Sequence, residues 1–160
     1  MAKLFPMSED HQDLIAEVFK SDAPILATYG LNFKYLGTTK QNKIVTVKKG
    51  NPLTEYLTDE EQLIIITLYE AAFERLTPEY QKLVIANALN SIEFDDEKAK
   101  VTIKGDGSSI VEGVYLKYKE PSVLAIFNGD HAIRQIIEEE KAQKAAEAEA
   151  RAAKKKSKLG

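Results

Sequence analysis

The 160-residue sequence contains no cysteine and no tryptophan. Without thiols, a disulfide framework, a thiolate zinc site, iron–sulfur ligation and a cysteine nucleophile are all excluded. Histidine is scarce: His11 and His131 are the only two, so no site built from three imidazoles fits. Long apolar runs are missing as well, and none approaches the ~20 residues a membrane-spanning helix needs. The first residues, MAKLFPMSEDHQD, turn acidic by residue 9 and include no apolar stretch, so no signal peptide is expected. Nor is there a basic excess. The net charge is −3, which argues against a nucleic-acid binder whose affinity comes from phosphate neutralisation. What remains is one globular domain, expected to be soluble and cytoplasmic, and large enough to bury a core without staples.

The charge is unevenly placed. Residues 138–160 hold five acids (Glu138, Glu139, Glu140, Glu147, Glu149) and seven bases (Lys141, Lys144, Arg151, Lys154, Lys155, Lys156, Lys158). That stretch is therefore positive while residues 1–137 are negative. It is Ala, Glu, Lys and Arg almost throughout, with no apolar stripe to bury, so a solvated helix that frays into a disordered basic end is expected. Early acids and late bases suit the helix macrodipole.

Periodicity supplies the other elements. Ser8 is a candidate N-cap for a helix over 8–20, with Leu14, Ile15, Val18 and Phe19 on one face. LNFKYLG (31–37) and KIVTVKK (43–49) alternate, and the short TTKQN between them predicts a hairpin. NPLTEYLTDEE (51–61) reads as a polar connection. QLIIITLY (62–69) is a strand buried on both faces, and EAAFERL (70–76) a helical turn or two. Thr77 caps a helix over 78–92 with Pro78 at its first position. FDDEKAK (94–100) reads as a charged loop. VTIKG (101–105) and VEGVYLKY (111–118), joined by GDGSS, predict a second hairpin. VLAIF (123–127) reads as a strand, NGD (128–130) as a turn, and Asp130 as the cap of a last helix buried through Ile133, Ile136 and Ile137. The class is α+β, short strands flanked by helices.

Several patterns carry less than they suggest. GDGSS has no Gly-Lys-Ser/Thr after it and opens no helix, so it fails the P-loop and dinucleotide fingerprints. DDEK lacks EF-hand spacing. Phe33, Tyr35, Tyr115 and Tyr118, interleaved with Lys34, Lys117 and Lys119, could describe a single-strand-binding sheet. A half-exposed sheet with aromatic cross-strand pairs explains them as well.

From Leu63 to Ile137 the order of elements and the local wording resemble the phage-encoded putative metallopeptidases, a small zincin-like family. LIIITLY precedes EAAFERLT, and then comes a helix opening PEYQKLVIA. In the family that helix carries H-E-L-x-H, then an Ile and an acidic stretch. Here the same place reads Asn87-Ala88-Leu89-Asn90-Ser91-Ile92-Glu93-Phe94-Asp95. A later strand and a His-Asp pair opening the last helix correspond to SVLAIF and Gly129-Asp130-His131. The resemblance implies a zincin-like α+β domain over 1–137, followed by the Ala/Glu/Lys-rich helical extension and basic tail at 138–160.

In a zincin helix two His at i and i+4 bind one Zn²⁺, and the Glu after the first is the general base. Asn87 and Ser91 stand at the ligand positions, Ala88 at the base and Gly129 at the third ligand. None is a usual zinc ligand, and Ala88 cannot take a proton. The implied protein is a scaffold without its metal or any other cofactor: a non-catalytic phage protein that works through contacts with a host factor or a virion component. Two other readings stay open. A diverged hydrolase would use Asp130, His131 or Ser91 in the former cleft; were His131 a metal ligand instead, Asp95, Asp96 or Asp130 would be its partners. An accessory protein would reach nucleic acid through Lys154, Lys155, Lys156 and Lys158.

Overall fold

A computed structural model describes residues 2–159 of the chain. It is α+β. Strand β1 (Leu4–Pro6) leads into helix α1 (Glu9–Asp22), whose Ile15 and Val18 are buried while Leu14 and Phe19 pack partly. A 3-10 segment (Pro24–Tyr29) ends at Gly30 in the left-handed region. Next come β2 (Asn32–Thr38), β3 (Val45–Lys49), α2 (Pro52–Thr58) and β4 (Leu63–Tyr69). Then follow α3 (Glu70–Phe73), α4 (Pro78–Asn90), β5 (Ile92–Asp95), β6 (Lys100–Ile103), α5 (Glu112–Tyr118) and α6 (Glu120–Leu159).

The main sheet has the order β1-β2-β4-β3. Its most apolar strand, β4, lies inside it, parallel to β2 and antiparallel to β3. Ile64, Ile66 and Leu68 of β4 are fully buried. On the other face Leu63 and Tyr69 are buried, and Ile65 and Thr67 half-buried. The hairpin expected between 31–37 and 43–49 does not form, because β4 takes the place between the two strands. The connection from Thr39 to Ile44 steps over the end of β4 instead. Gln41 Nε2 donates to the carbonyls of Ile44 and Thr67, both at 3.2 Å, and Tyr69 N–H donates to Ile44 O at 2.8 Å. Two inter-strand spacings are about 10 Å, which six residues cross with ease.

The expected polar connection at 51–61 contains a helix, α2, begun by a capping box. Asn51 Oδ1 accepts Thr54 N–H, and Thr54 Oγ1 accepts Asn51 N–H. The charged loop at 94–100 is a hairpin of β5 with β6, Ile92 opposite Ile103. Its turn is held by Asp95, whose carboxylate accepts Glu97 and Lys98 N–H. Strand β6 is thereby paired with β5, and 111–118 is helical rather than a second strand. Val111, Val114 and Tyr118 form the inward face there, since a short apolar run fits both periods.

The expected strand at 123–127 and turn at 128–130 are both interior to α6, and Asp130 is mid-helix rather than a cap. The buried positions of α6 include Ser122, Ala125, Gly129, Ala132, Ile133 and Ile136. They form a helical stripe of mostly small residues, which hydropathy does not mark. Helix α4 packs against α1, α6 and β3. Past Glu139, which pairs with Arg75 through both oxygens at 3.0 and 2.6 Å, α6 leaves the body. It continues as helix through Leu159, exposed on all sides from Glu140 to Lys158. The fraying into a disordered basic end does not occur within these residues; all five bases of 151–158 are helical.

Candidate functional site

Helix α4 forms because Thr77 caps it, accepting Tyr80 N–H, and Pro78 starts it. Its residues 83–89 are all buried. That placement fixes Asn87, Ala88 and Ser91 inside the body, where every polar atom needs a partner.

Asn87 is 2% exposed. Its Nδ2 donates to Ser109 O at 2.6 Å, and its Oδ1 accepts Val111 N–H at 2.8 Å. The side chain therefore straps the segment before α5 onto α4. Ala88 is buried and offers no donor or acceptor beyond its backbone. Ser91 is fully buried at the C-cap of α4. Its Oγ donates to Ala88 O, its N–H to Asn87 O, and its carbonyl accepts Lys104 N–H at 2.9 Å, which starts the β5–β6 hairpin. Gly129 lies where α6 crosses the lead-in to β3. A Cβ there would meet Ile44 Cγ1 at 2.7 Å, so the residue is small because two elements meet.

Asn87, Gly129 and Asp130 line one small cavity, together with Lys43 and Ile44. Its volume is about 20 Å³, room for one water molecule. Lys43 Nζ lies 3.7 Å from Asp130 Oδ1. Ser91 and His131 do not line this cavity, and the His131 side chain is exposed on the outer face of α6. Asp95 and Asp96 belong to the β5–β6 turn. The groove beside them is lined by residues 93–97 and Thr102, none of them from α6. The structure thus gathers two of the three expected ligand positions, Asn87 and Gly129, and leaves Ser91 apart.

These residues do not fit a zinc ion. The lone pairs and N–H groups of Asn87 serve the backbone, Ser91 is sealed in, and Gly129 has no side chain. Among the described residues no group of three or more His, Asp or Glu is placed to hold a metal ion. Nucleophilic chemistry at Ser91 fares no better, because its hydroxyl is enclosed and faces a carbonyl rather than a base.

Two polar clusters escaped the sequence. His11 Nδ1 lies 3.0 Å from Glu70 Oε1, which also accepts Ser8 N–H at 2.8 Å, and the imidazole meets Phe73 edge-on at 5.1 Å. This joins the start of α1 to α3. At the other end of α1, the Asp22 carboxylate accepts hydrogen bonds from Tyr118 Oη, Lys117 Nζ at 2.7 Å and Ser21 Oγ at 2.9 Å. Burial alone would raise the Asp22 pKa, but these bonds and the Lys117 charge together hold it below its ordinary value. Partners separated by 59 and 96 positions leave no local signal.

Compared with protein-family models, characterised proteins and solved structures, the chain matches none. No helix among the described residues is long and apolar enough to cross a membrane.

Proposed function

We propose that the chain is a non-catalytic binding protein on a zincin-like scaffold, working through protein contacts with a host factor or virion component. The observation that carries the proposal is the employment of Asn87 and Ser91. Both spend their hydrogen-bonding groups on the backbone of the body, at the positions where the resembling family keeps its chemistry. A contact surface is available elsewhere. Ile110, Tyr115, Leu116, Leu124 and Phe127 are all exposed, and one stretch of chain through α5 and the start of α6 supplies them. Phe127 is 59% exposed and Leu116 57%. Helix α2 exposes large apolar side chains as well, Leu53, Tyr56 and Leu57, and exposed apolar groups that lie together mark interaction surfaces.

The test is quantitative affinity capture from infected cells, comparing the native chain with a Leu116→Asp/Phe127→Asp variant. Both sites are largely exposed, so each substitution should cost on the order of 1 kcal/mol and leave the body folded. A partner enriched on the native chain and lost on the variant supports the proposal. A partner set indifferent to the variant, or hydrolytic activity abolished by His131→Ala at unchanged stability, contradicts it.

A further inference from the structure

The body of the protein is acidic, yet the far part of α6 is basic and stands clear of it. Between Glu149 and Lys158 there is no acid, and Arg151, Lys154, Lys155, Lys156 and Lys158 all fall on one helix. None of the ion pairs found among the described residues engages any of the five. Glu139 is the last residue of α6 tied to the body by an ion pair. Arg151 lies twelve residues beyond it, about 18 Å along the axis. The Debye length at physiological salt is about 8 Å. The body's negative charge is therefore screened at the basic segment, and the overall net charge does not describe what that segment presents.

Its geometry is directional. At 3.6 residues per turn, Arg151, Lys154, Lys155 and Lys158 fall within about a 100° sector, with Lys156 off it. The four span about 11 Å of helix. No neighbouring element covers any face of the helix here. A bare helix with its side chains is ~10–12 Å across, and the major groove of B-form DNA is ~12 Å wide. The major groove of A-form RNA is too narrow for side chains to read. A membrane surface is a poorer match, because alanine is the only apolar residue between Glu140 and Lys158 and nothing can insert among acyl chains. Lysine dominates, and it meets phosphate as a point charge rather than as a base-reading fork.

We propose that residues 151–158 of α6 form a binding element for double-stranded DNA, set against the phosphate backbone along the major groove and without sequence preference. Four phosphates are neutralised. The logarithm of affinity should then fall with the logarithm of salt at a slope of about −3.6. Between 50 and 200 mM salt this amounts to roughly a 150-fold loss.

The experiment is fluorescence anisotropy on the full chain with a labelled 20-base-pair duplex of random sequence, repeated across salt. Duplex RNA, polyglutamate and phosphatidylserine vesicles serve as competitors. The expected result is binding to duplex DNA with that slope and weaker competition from the other three. Arg151→Ala/Lys155→Ala/Lys158→Ala should flatten the slope by about 2.7 and weaken binding more than tenfold at 100 mM salt. Lys156→Ala should change it less than twofold. Alanine is the best helix former, and circular dichroism checks that the helix persists. No binding at 50 mM salt, equal competition by polyglutamate, vesicles or duplex RNA, or a triple variant that binds as the native chain does, would each overturn the proposal.

Discussion

Asn87 combines burial with two backbone partners across a gap of more than twenty residues, so its truncation is costly. Asn87→Ala leaves Ser109 C=O and Val111 N–H without their partner. Ser109 is exposed and Val111 half-buried, so water can reach both groups; two lost hydrogen bonds at about 0.5–1.5 kcal/mol each give an expected loss of about 1–3 kcal/mol in denaturant unfolding. A free-surface asparagine would show almost none. Gly107 is the second sensitive residue. Its φ is +85°, and a Cβ would lie 2.6 Å from Val47 Cγ2. Gly107→Ala therefore combines left-handed strain with overpacking, together about 2–4 kcal/mol, measurable in the same way. Asn87, Ala88, Ser91 and Gly129 stood out as replacements for ligands. What they do in the fold is strap, pack, cap and make room, and nothing in a linear string says that Asn87 reaches Ser109.

Elements with a local cause were legible, and elements decided by distant packing were not. Thr77–Pro78 announces α4, and the face of Leu14, Ile15, Val18 and Phe19 announces α1. The capping box of Asn51 and Thr54 could have announced α2, although none of its residues is buried. Helix α5 lost to an alternating pattern that suits both periods, and the start of α6 hid behind VLAIF, a short apolar run that reads as a strand, and the turn-like Asn128-Gly129-Asp130 after it. Helix α5 is also where pH should act. It is clasped to α1 by Lys117 and Tyr118 on Asp22, whose pKa is held below 3.8. A carboxylate depressed on folding stabilises the fold fully above its unfolded pKa, and that stabilisation is lost as pH falls through the folded value. Unfolding free energy measured from pH 6 downward should thus lose a contribution only below about pH 4. Asp22→Asn should remove that part of the acid slope. Tyr118→Phe should cost about 1–2 kcal/mol at neutral pH.

For the molecule as a whole, the α+β class followed from strand and helix patterns, but the pairing of strands did not. Alternation located β2 and β3 without showing that β4 lies between them, because register and order are settled by which strand buries most. The extension beyond Glu139 was visible as a change of composition, and its isolation from the body makes a clean prediction. Removing residues 141–160 deletes no buried side chain among those described, so the remaining chain should unfold with a free energy within about 0.5 kcal/mol of the full one. Loss of cooperative unfolding would show that the helix beyond Glu139 supports the core. The account depends most on α4 being scaffold where a zincin keeps its metal. The direct measurement is the zinc content, by elemental analysis, of the full chain purified without chelator from zinc-supplemented medium. Far less than one equivalent per chain is predicted. One equivalent, lost together with Asn87→Ala or Ser91→Ala, would contradict it.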